Sequence, residues 1–217
     1  MEILDNIKYF FRGLKSKILT PFRAINKFIQ RGKNGYSGYD LWSLDYYMYT
    51  TLPKMIRDFE KTLHGSPSGE TFEEVDNFDF RWKTWQYNEI IESMKSWDWF
   101  KETDDWDQYN LDDNYIKWRL ILRRIAYCFE EFDEDLCSEK NQYKDEYFEK
   151  KFPKDTKDLF VQLERDPKLY RINTNENMDK ELEEKYWKRE EEIANYRIAM
   201  KEEGFKLLSK YFECLWD

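Results

Sequence analysis

The chain has 217 residues, a length that suits one domain and allows a sizeable buried core. Its net charge of −9 argues against bulk attraction to nucleic acid or to anionic lipid, so neither is an expected partner. No apolar run reaches the roughly 18 residues that a membrane span needs. The start of the chain is not typical of a signal peptide, and the three cysteines lack metal-ligand spacing and suit a reducing cytosol.

The N-terminal part of the chain is basic and predicted to be helical. Residues 1–33 hold eight lysines and arginines against two acidic residues, a net charge of +6, so the remaining chain is strongly acidic. Apolar residues at helical spacing predict one or two amphipathic helices over residues 3–31, with Pro21 in a first turn and Gly32 as a left-handed cap. This segment docks either on the acidic remainder or on a partner.

A second helix is predicted to begin after the glycine-rich turn. Ser37 is a predicted N-cap, and Asp40, three residues on, forms a variant of the capping box. Apolar residues then recur at steps of three or four up to Leu63. Pro53 should kink this helix, and Gly65 follows its end.

Two further helices are predicted on either side of an acidic connector. The third helix spans about residues 82–101, with one apolar stripe formed by Tyr87, Ile90, Met94 and Trp97. The connector covers residues 98–113 and is rich in aspartate. The fourth helix has the most regular stripe, which resembles a coiled-coil seam. Its members are Tyr115, Trp118, Leu122, Ile125, Phe129, Phe132 and Leu136.

The last part of the chain predicts a short helix, a long connection over residues 138–175 and then one long helix from about Met178. No strand pair is indicated. The predicted fold class is therefore all-α, a helical bundle with a kinked second helix and a long C-terminal helix. We expect one domain over residues 1–217, composed of a basic helical segment (1–33) and an acidic bundle (34–217).

Two segments resemble a family of small proteins from tailed phages and prophages. RGKNGYSGYDLWSLDYYMYTTLPKMIRDF (Arg31–Phe59) is similar to the family's Gly-Tyr-Ser cap and Asp-x-Trp-x-x-Asp helix start. EEGFKLLSKYFECLWD (Glu202–Asp217) is similar to its closing Tyr-Phe-x-x-Leu-Trp-Asp, and HGSPSG resembles a loop that follows the first segment, with Ser66 in place of the usual tyrosine. The resemblance implies a viral origin and no particular activity. Small phage proteins often inhibit host systems.

The turn and the start of the second helix form the predicted ligand site. A helix N-terminus with basic residues suits an anion, aromatic rings can stack on a base, and a carboxylate can accept hydrogen bonds from ribose hydroxyls. The predicted ligand-binding residues are Arg31, Lys33, Tyr36, Asp40, Trp42, Asp45 and Tyr46. The alternative is a capped helix in which Trp42 enters the core and Asp45 pairs with a buried arginine.

Three other groups were weighed as sites. The aromatic and acidic residues at 97–113 could dock a host effector, or they could combine core packing with a solvated loop. Glu130, Glu131 and Glu134 form an E-E-x-x-E motif that suits Mg²⁺ in all-α nucleotide pyrophosphatases, although the second carboxylate motif lies outside the usual spacing. His64 is the sole histidine and is expected to be structural.

The sequence therefore predicts a non-enzymatic phage protein in the host cytoplasm. It would counter host defence by binding and sequestering a small nucleotide-type signalling molecule, with no cofactor and no metal. The alternatives are a protein–protein inhibitor of a host effector, acting through the acidic aromatic surface, or a Mg²⁺-dependent nucleotide hydrolase. A virion component and a homo-oligomer stay open as well.

Overall fold

The computed structural model describes residues 21–63, 65–94, 113–153, 159–163, 166–175 and 179–215. The all-α class predicted from the sequence is confirmed, because helices dominate the described chain. The helices are α1 (residues 21–34), α2 (Gly38–Trp42), α3 (Leu44–Thr62), α4 (Phe80–Met94), α5 (Asp113–Phe132), α6 (Lys144–Lys151) and α7 (Lys180–Lys210). Short 3₁₀ turns lie at Glu73–Asn77 and Phe212–Cys214, and two strands are β1 (Phe160–Leu163) and β2 (Asp166–Ile172).

The chain divides into two compact units, Met1–Leu52 and Pro53–Asp217. The boundary lies inside α3, between Leu52 and Pro53, and not at residue 33, where the charge of the sequence changes. The first unit contains α1, α2 and the start of α3. The second contains the other helices and both strands.

Helix α5 is the centre of the second unit. Its predicted stripe is buried at Tyr115, Trp118, Leu122, Ile125 and Phe129, and residues on its other faces are buried as well. The helix packs mainly against α7, and also against α4 and the turn at Glu73–Asn77. Full burial of one large apolar side chain contributes about 1.5–3 kcal/mol, so this helix makes a large contribution to the apolar burial of the unit.

Charged residues of α5 tie it to its neighbours. Arg119 and Arg123 both donate to the Glu60 carboxylate of α3, with Nε–Oε1 distances of 2.5 and 3.1 Å. Arg119 and Glu60 are both buried. Arg124 forms two parallel hydrogen bonds of 2.7 Å with Glu203 of α7. Bidentate pairs of this kind fix the relative orientation of the helices that carry them.

The long C-terminal helix is confirmed, since α7 has 31 residues. Asp179 caps it, because its carboxylate accepts a hydrogen bond of 3.0 Å from the Glu181 N–H. Leu182, Tyr186 and Ile193 of its predicted stripe are buried. Among the described residues, no helix combines the length and the apolar character that crossing a bilayer requires.

Two predictions about the first helices are wrong in detail. Helix α1 runs through Gly32 to residue 34, and Gly35 is the residue in the left-handed conformation, with φ +78°. The Gly35 N–H donates to the Arg31 carbonyl at 2.9 Å, which closes the helix there. The second helix is not continuous from Ser37, because Ser43 has a non-helical ψ of 64° between α2 and α3. Pro53 lies inside α3, as predicted.

The predicted stripe of the third helix is also wrong in part. The buried residues of α4 are Trp82, Gln86, Ile90 and Met94, spaced four apart, whereas Tyr87 is 43% exposed. A polar Gln86 belongs to the stripe because its carbonyl accepts a hydrogen bond from Arg123 at 2.9 Å. Trp97 lies outside the described residues.

The expectation of no strand pair is wrong as well. Strands β1 and β2 pair antiparallel, with Val161 opposite Arg171 and a register irregularity at Gln162/Leu163. Phe160, Tyr170 and Ile172 are exposed. The pair is short, and its residues 160–162 and 170–172 are all exposed. These positions therefore lack the alternation that identifies a half-buried strand.

Candidate functional site

The predicted ligand segment is organised by an ion pair between a half-exposed arginine and a buried aspartate. Arg31 at the end of α1 reaches Asp40 in α2 and forms two hydrogen bonds, Nε–Oδ2 at 2.8 Å and Nη2–Oδ1 at 2.5 Å. Asp40 is only 3% exposed. The backbone N–H and hydroxyl of Ser37 also donate to Oδ2, at 2.7 and 2.9 Å. The predicted capping box of Ser37 and Asp40 is therefore confirmed.

This arrangement commits Asp40 to holding the turn. The Arg31 guanidinium, with help from Ser37, holds the pKa of the Asp40 carboxyl well below its usual range. Two of the predicted ligand-binding residues, Arg31 and Asp40, thus neutralise each other. The alternative interpretation, in which Asp45 pairs with a buried arginine, is wrong on this point, because Asp45 is an exposed residue in the first turn of α3.

The aromatic residues of the segment lie on the outside. Trp42 is 87% exposed, so it enters no core and is not enclosed by a pocket. Tyr36 and Tyr46 are 45% and 50% exposed, and the Tyr46 ring meets the Tyr49 ring edge-on at 5.7 Å. Lys33 is exposed too. The predicted residues are therefore close in sequence, but they do not enclose a common cavity.

In the described part of the first unit, residues 21–52, most large apolar side chains are exposed. Within residues 21–52, the buried residues are the polar Ser37 and Asp40. Exposed apolar and aromatic residues lie on α1, on α2 and at the start of α3, and we call them the N-terminal apolar surface. They are Phe22, Ile25, Phe28, Ile29, Tyr36, Tyr39, Leu41, Trp42, Leu44, Tyr46 and Met48. Exposure on this scale marks interaction sites in folded proteins.

Basic residues accompany this surface. Arg23, Lys27 and Arg31 are spaced four apart on α1, on the face opposite Phe22, Ile25 and Ile29. The Lys27 ammonium lies 3.5 Å from the centre of the Tyr39 ring, a cation–π contact that holds the lysine against the aromatic residues. Positive charge therefore lies beside a ring of this surface at Lys27 and Tyr39, whereas Phe22, Ile25 and Ile29 are on the other face of α1.

A cavity of about 350 Å³ in the second unit was not predicted from the sequence. The loop after α3 contributes Leu63, Pro67 and Glu70, helix α5 contributes Trp118, and the C-terminal turn contributes Glu213 and Cys214. Both the HGSPSG loop and the YFECLWD end belong to the segments that resemble phage proteins. No pattern in the sequence of either segment indicates that the two meet at one cavity.

Trp118, which lines the cavity, belongs to an aromatic cluster. The rings of Phe72, Trp118 and Tyr211 lie 5.5–5.8 Å apart, and all three residues are buried. The Tyr211 hydroxyl donates to the Glu74 carboxylate, which also pairs with Lys210. Burial raises the pKa of the Cys214 thiol, and the charges of Glu70 and Glu213 raise it further. The thiolate is thus disfavoured, so the cavity does not prepare Cys214 as a nucleophile.

The predicted metal motif is divided among separate partners. Glu130 forms two hydrogen bonds with Arg57, at 2.7 and 2.5 Å. Glu131 is buried and accepts from the Ser138 N–H and hydroxyl at 2.9 and 2.7 Å. Glu134 is 83% exposed. Across the described part of the chain, no group of three or more histidine, cysteine or acidic residues is arranged to hold a metal ion.

Some predicted features lie outside the described residues. These are His64, the part of the N-terminal helical segment before residue 21, and the acidic aromatic surface at 97–113 apart from Asp113, where α5 begins.

Comparison with protein families, with curated proteins and with solved structures finds no match to this chain. The resemblance to phage proteins therefore stays a prediction, and any function has to be argued from the geometry of the described residues.

Proposed function

We propose that the protein is a non-enzymatic binding protein that docks on an acidic surface of a partner protein through its N-terminal apolar surface. One observation carries the proposal. In residues 21–52 the polar Ser37 and Asp40 are buried, while the large apolar side chains are exposed. Exposed apolar area costs free energy in water, and a partner that covers it recovers that free energy.

The composition of the surface favours a protein over a small molecule. Sites for small molecules enclose most of the ligand surface, typically 70–90%, and Trp42, at 87% exposed, encloses nothing. Protein interfaces draw much of their binding energy from tryptophan, tyrosine and arginine. The N-terminal apolar surface includes Trp42, Tyr36, Tyr39 and Tyr46, and Arg23 is exposed on α1.

Charge selects the kind of partner. Exposed cations on α1 steer association toward a negatively charged surface and speed the encounter at low salt. The same charges act against a basic partner. A host protein with an acidic docking face would suit a phage protein that counters host defence, which is the setting expected from the resemblance.

The test is affinity capture from host lysate, followed by measurement of the dissociation constant for the captured partner. The wild-type chain should retain one stoichiometric partner, with an affinity that falls as salt rises. Trp42→Ala removes the most exposed ring and should weaken binding by about 2 kcal/mol, roughly 30-fold. Trp187→Ala is the matched control, because Trp187 is 56% exposed and lies in the second unit.

Two outcomes would contradict the proposal. If Trp42→Ala binds the captured partner as tightly as Trp187→Ala does, the surface is not the docking site. If light scattering shows that the wild-type chain is a dimer and Trp42→Ala is a monomer, the surface is an interface between two copies of this chain.

The nucleotide-sequestering function stays a second candidate. It is favoured by the presence of Lys33, Trp42 and Tyr46, all exposed, within one short segment. Cyclic nucleotides and ADP-ribose isomers should then raise the melting temperature of the protein, and Trp42→Ala should abolish the gain. A flat response across the panel would dismiss this candidate and leave the protein-docking proposal in place.

A further inference from the structure

We infer that the cavity lined by Leu63, Pro67, Glu70, Trp118, Glu213 and Cys214 is a binding site for a small organic cation, an alkylammonium or guanidinium compound with an apolar body. The cavity has a volume of about 350 Å³, which is the size of a small-molecule site. It lies wholly in the second unit, so it is separate from the N-terminal apolar surface.

The charges at the cavity determine whether it binds a cation or an anion. Glu70 and Glu213 are exposed at the cavity, and no ion pair of either carboxylate occurs among the described residues. Lys210, the nearby cation, is paired with Glu74. The cavity is therefore negative, and a phosphate group would be repelled by both carboxylates. This excludes a nucleotide as the natural occupant and favours a cation.

The lining of the cavity is partly apolar and includes one residue whose hydrogen-bond donor has no partner in the described structure. Leu63, Pro67 and Trp118 suit the hydrocarbon part of a ligand. Trp118 has no exposed surface, and its Nε1–H has no hydrogen-bond partner in the described structure. An indole N–H left without an acceptor costs free energy. A ligand that carries a hydroxyl or a carbonyl near its apolar end could supply one.

Cys214 makes the cavity directly testable, because it is a free thiol in the lining. The other cysteines, Cys128 and Cys137, are 0% and 2% exposed, whereas Cys214 is 9% exposed. A methanethiosulfonate reagent transfers its thioalkyl group to a thiolate and releases methanesulfinate. The mixed disulfide at Cys214 can be identified and timed by peptide mass spectrometry.

The experiment compares a trimethylammonium reagent with a sulfonate reagent of similar size on the folded, full-length protein. Each rate at Cys214 is divided by the rate with free cysteine, which removes the intrinsic difference between the reagents. Two nearby carboxylates should favour the cationic reagent by about tenfold at low salt. The double variant Glu70→Gln, Glu213→Gln should lose this preference. Glu184→Gln with Glu191→Gln removes the same charge from exposed positions of α7 and should keep it.

A second arm uses a reversible ligand. Millimolar agmatine, which carries a guanidinium and an ammonium group, should slow the labelling of Cys214, and AMP should not. The inference is overturned if Cys214 is labelled no faster in the folded protein than Cys128 and Cys137, which are buried outside the cavity, since the reagent then does not enter through it. It is also overturned if the two normalised rates are equal, or if agmatine leaves the labelling rate unchanged. These readouts do not involve Trp42, so failure here leaves the proposed docking function intact.

Discussion

Gly204 of α7 lies at a close contact with α5, so replacing it by alanine tests how the two helices pack. It is a buried glycine inside α7, and a Cβ atom built on it would lie 3.0 Å from Cys128 Cβ. It would also lie 3.4 and 3.6 Å from two carbons of the Phe129 ring. Carbon atoms prefer separations of about 3.5–4.0 Å. The Cys128 Cβ is attached to the backbone of α5, so it cannot rotate away, and the helices must separate to admit the methyl group.

Two effects of Gly204→Ala oppose each other. Alanine in a helix interior is favoured over glycine by about 1 kcal/mol. Overpacking a close helix contact costs about 1–3 kcal/mol. Because the obstructing atom belongs to a helix backbone, we place the cost in the upper part of that range. The net expectation is that the free energy of unfolding falls by about 1 kcal/mol.

The assay is urea unfolding followed by far-UV circular dichroism, with midpoints compared at a common slope. The control is Ala199→Gly, an exposed position of α7, which should lose about 1 kcal/mol from helix propensity alone. If Gly204→Ala instead raises the free energy of unfolding by about 1 kcal/mol, only helix propensity is acting, as in the control but with the opposite sign. In that case α7 does not contact α5 at Cys128, and the packing argument is refuted.

Three further changes test the charged residues. Glu60→Gln leaves the buried Arg119 without its full counter-charge and should lower the free energy of unfolding by about 3 kcal/mol in the same urea assay. The lowered pKa of Asp40 stabilises the fold above about pH 4, and this stabilisation is lost as the pH falls through the folded pKa. In a carboxyl-carbon NMR titration Asp40 should therefore protonate below the other aspartates, and Asp40→Asn should remove that acid dependence of stability. Because Glu130 and Glu131 already have partners, Mg²⁺ should not raise the melting temperature, and a rise would favour the hydrolase alternative.

The stripes of the two long helices could be read from the sequence because their signal is local. In α5, Trp118, Leu122 and Ile125 recur at steps of three and four, and their burial follows from that periodicity alone. The same holds for Leu182 and Tyr186 in α7. Short elements carry too few residues for such a pattern, so the break at Ser43 and the strand pair were missed.

The partner of each charged residue could not be predicted, because it depends on geometry between elements. Spacing made Asp40 and Asp45 equally suitable for an arginine, and only the turn at Gly35 determines that Arg31 reaches Asp40. The cavity was even harder to predict from the sequence. Glu70 and Glu213 are far apart in sequence, and nothing in either segment indicates that both lie beside Trp118.

In the predicted ligand segment, the burial of Asp40 and the exposure of Trp42 are the reverse of what the residue types predict. Sequence patterns assign tryptophan to a core and aspartate to the surface, whereas here Asp40 is 3% and Trp42 is 87% exposed. The Arg31–Asp40 pair explains the buried carboxylate, because two hydrogen bonds and the Ser37 donors compensate its desolvation. Within residues 21–52 the Trp42 ring stays exposed to solvent. A partner would have to cover it, and this asymmetry makes Trp42, rather than the charged residues of the turn, the residue on which the docking proposal depends.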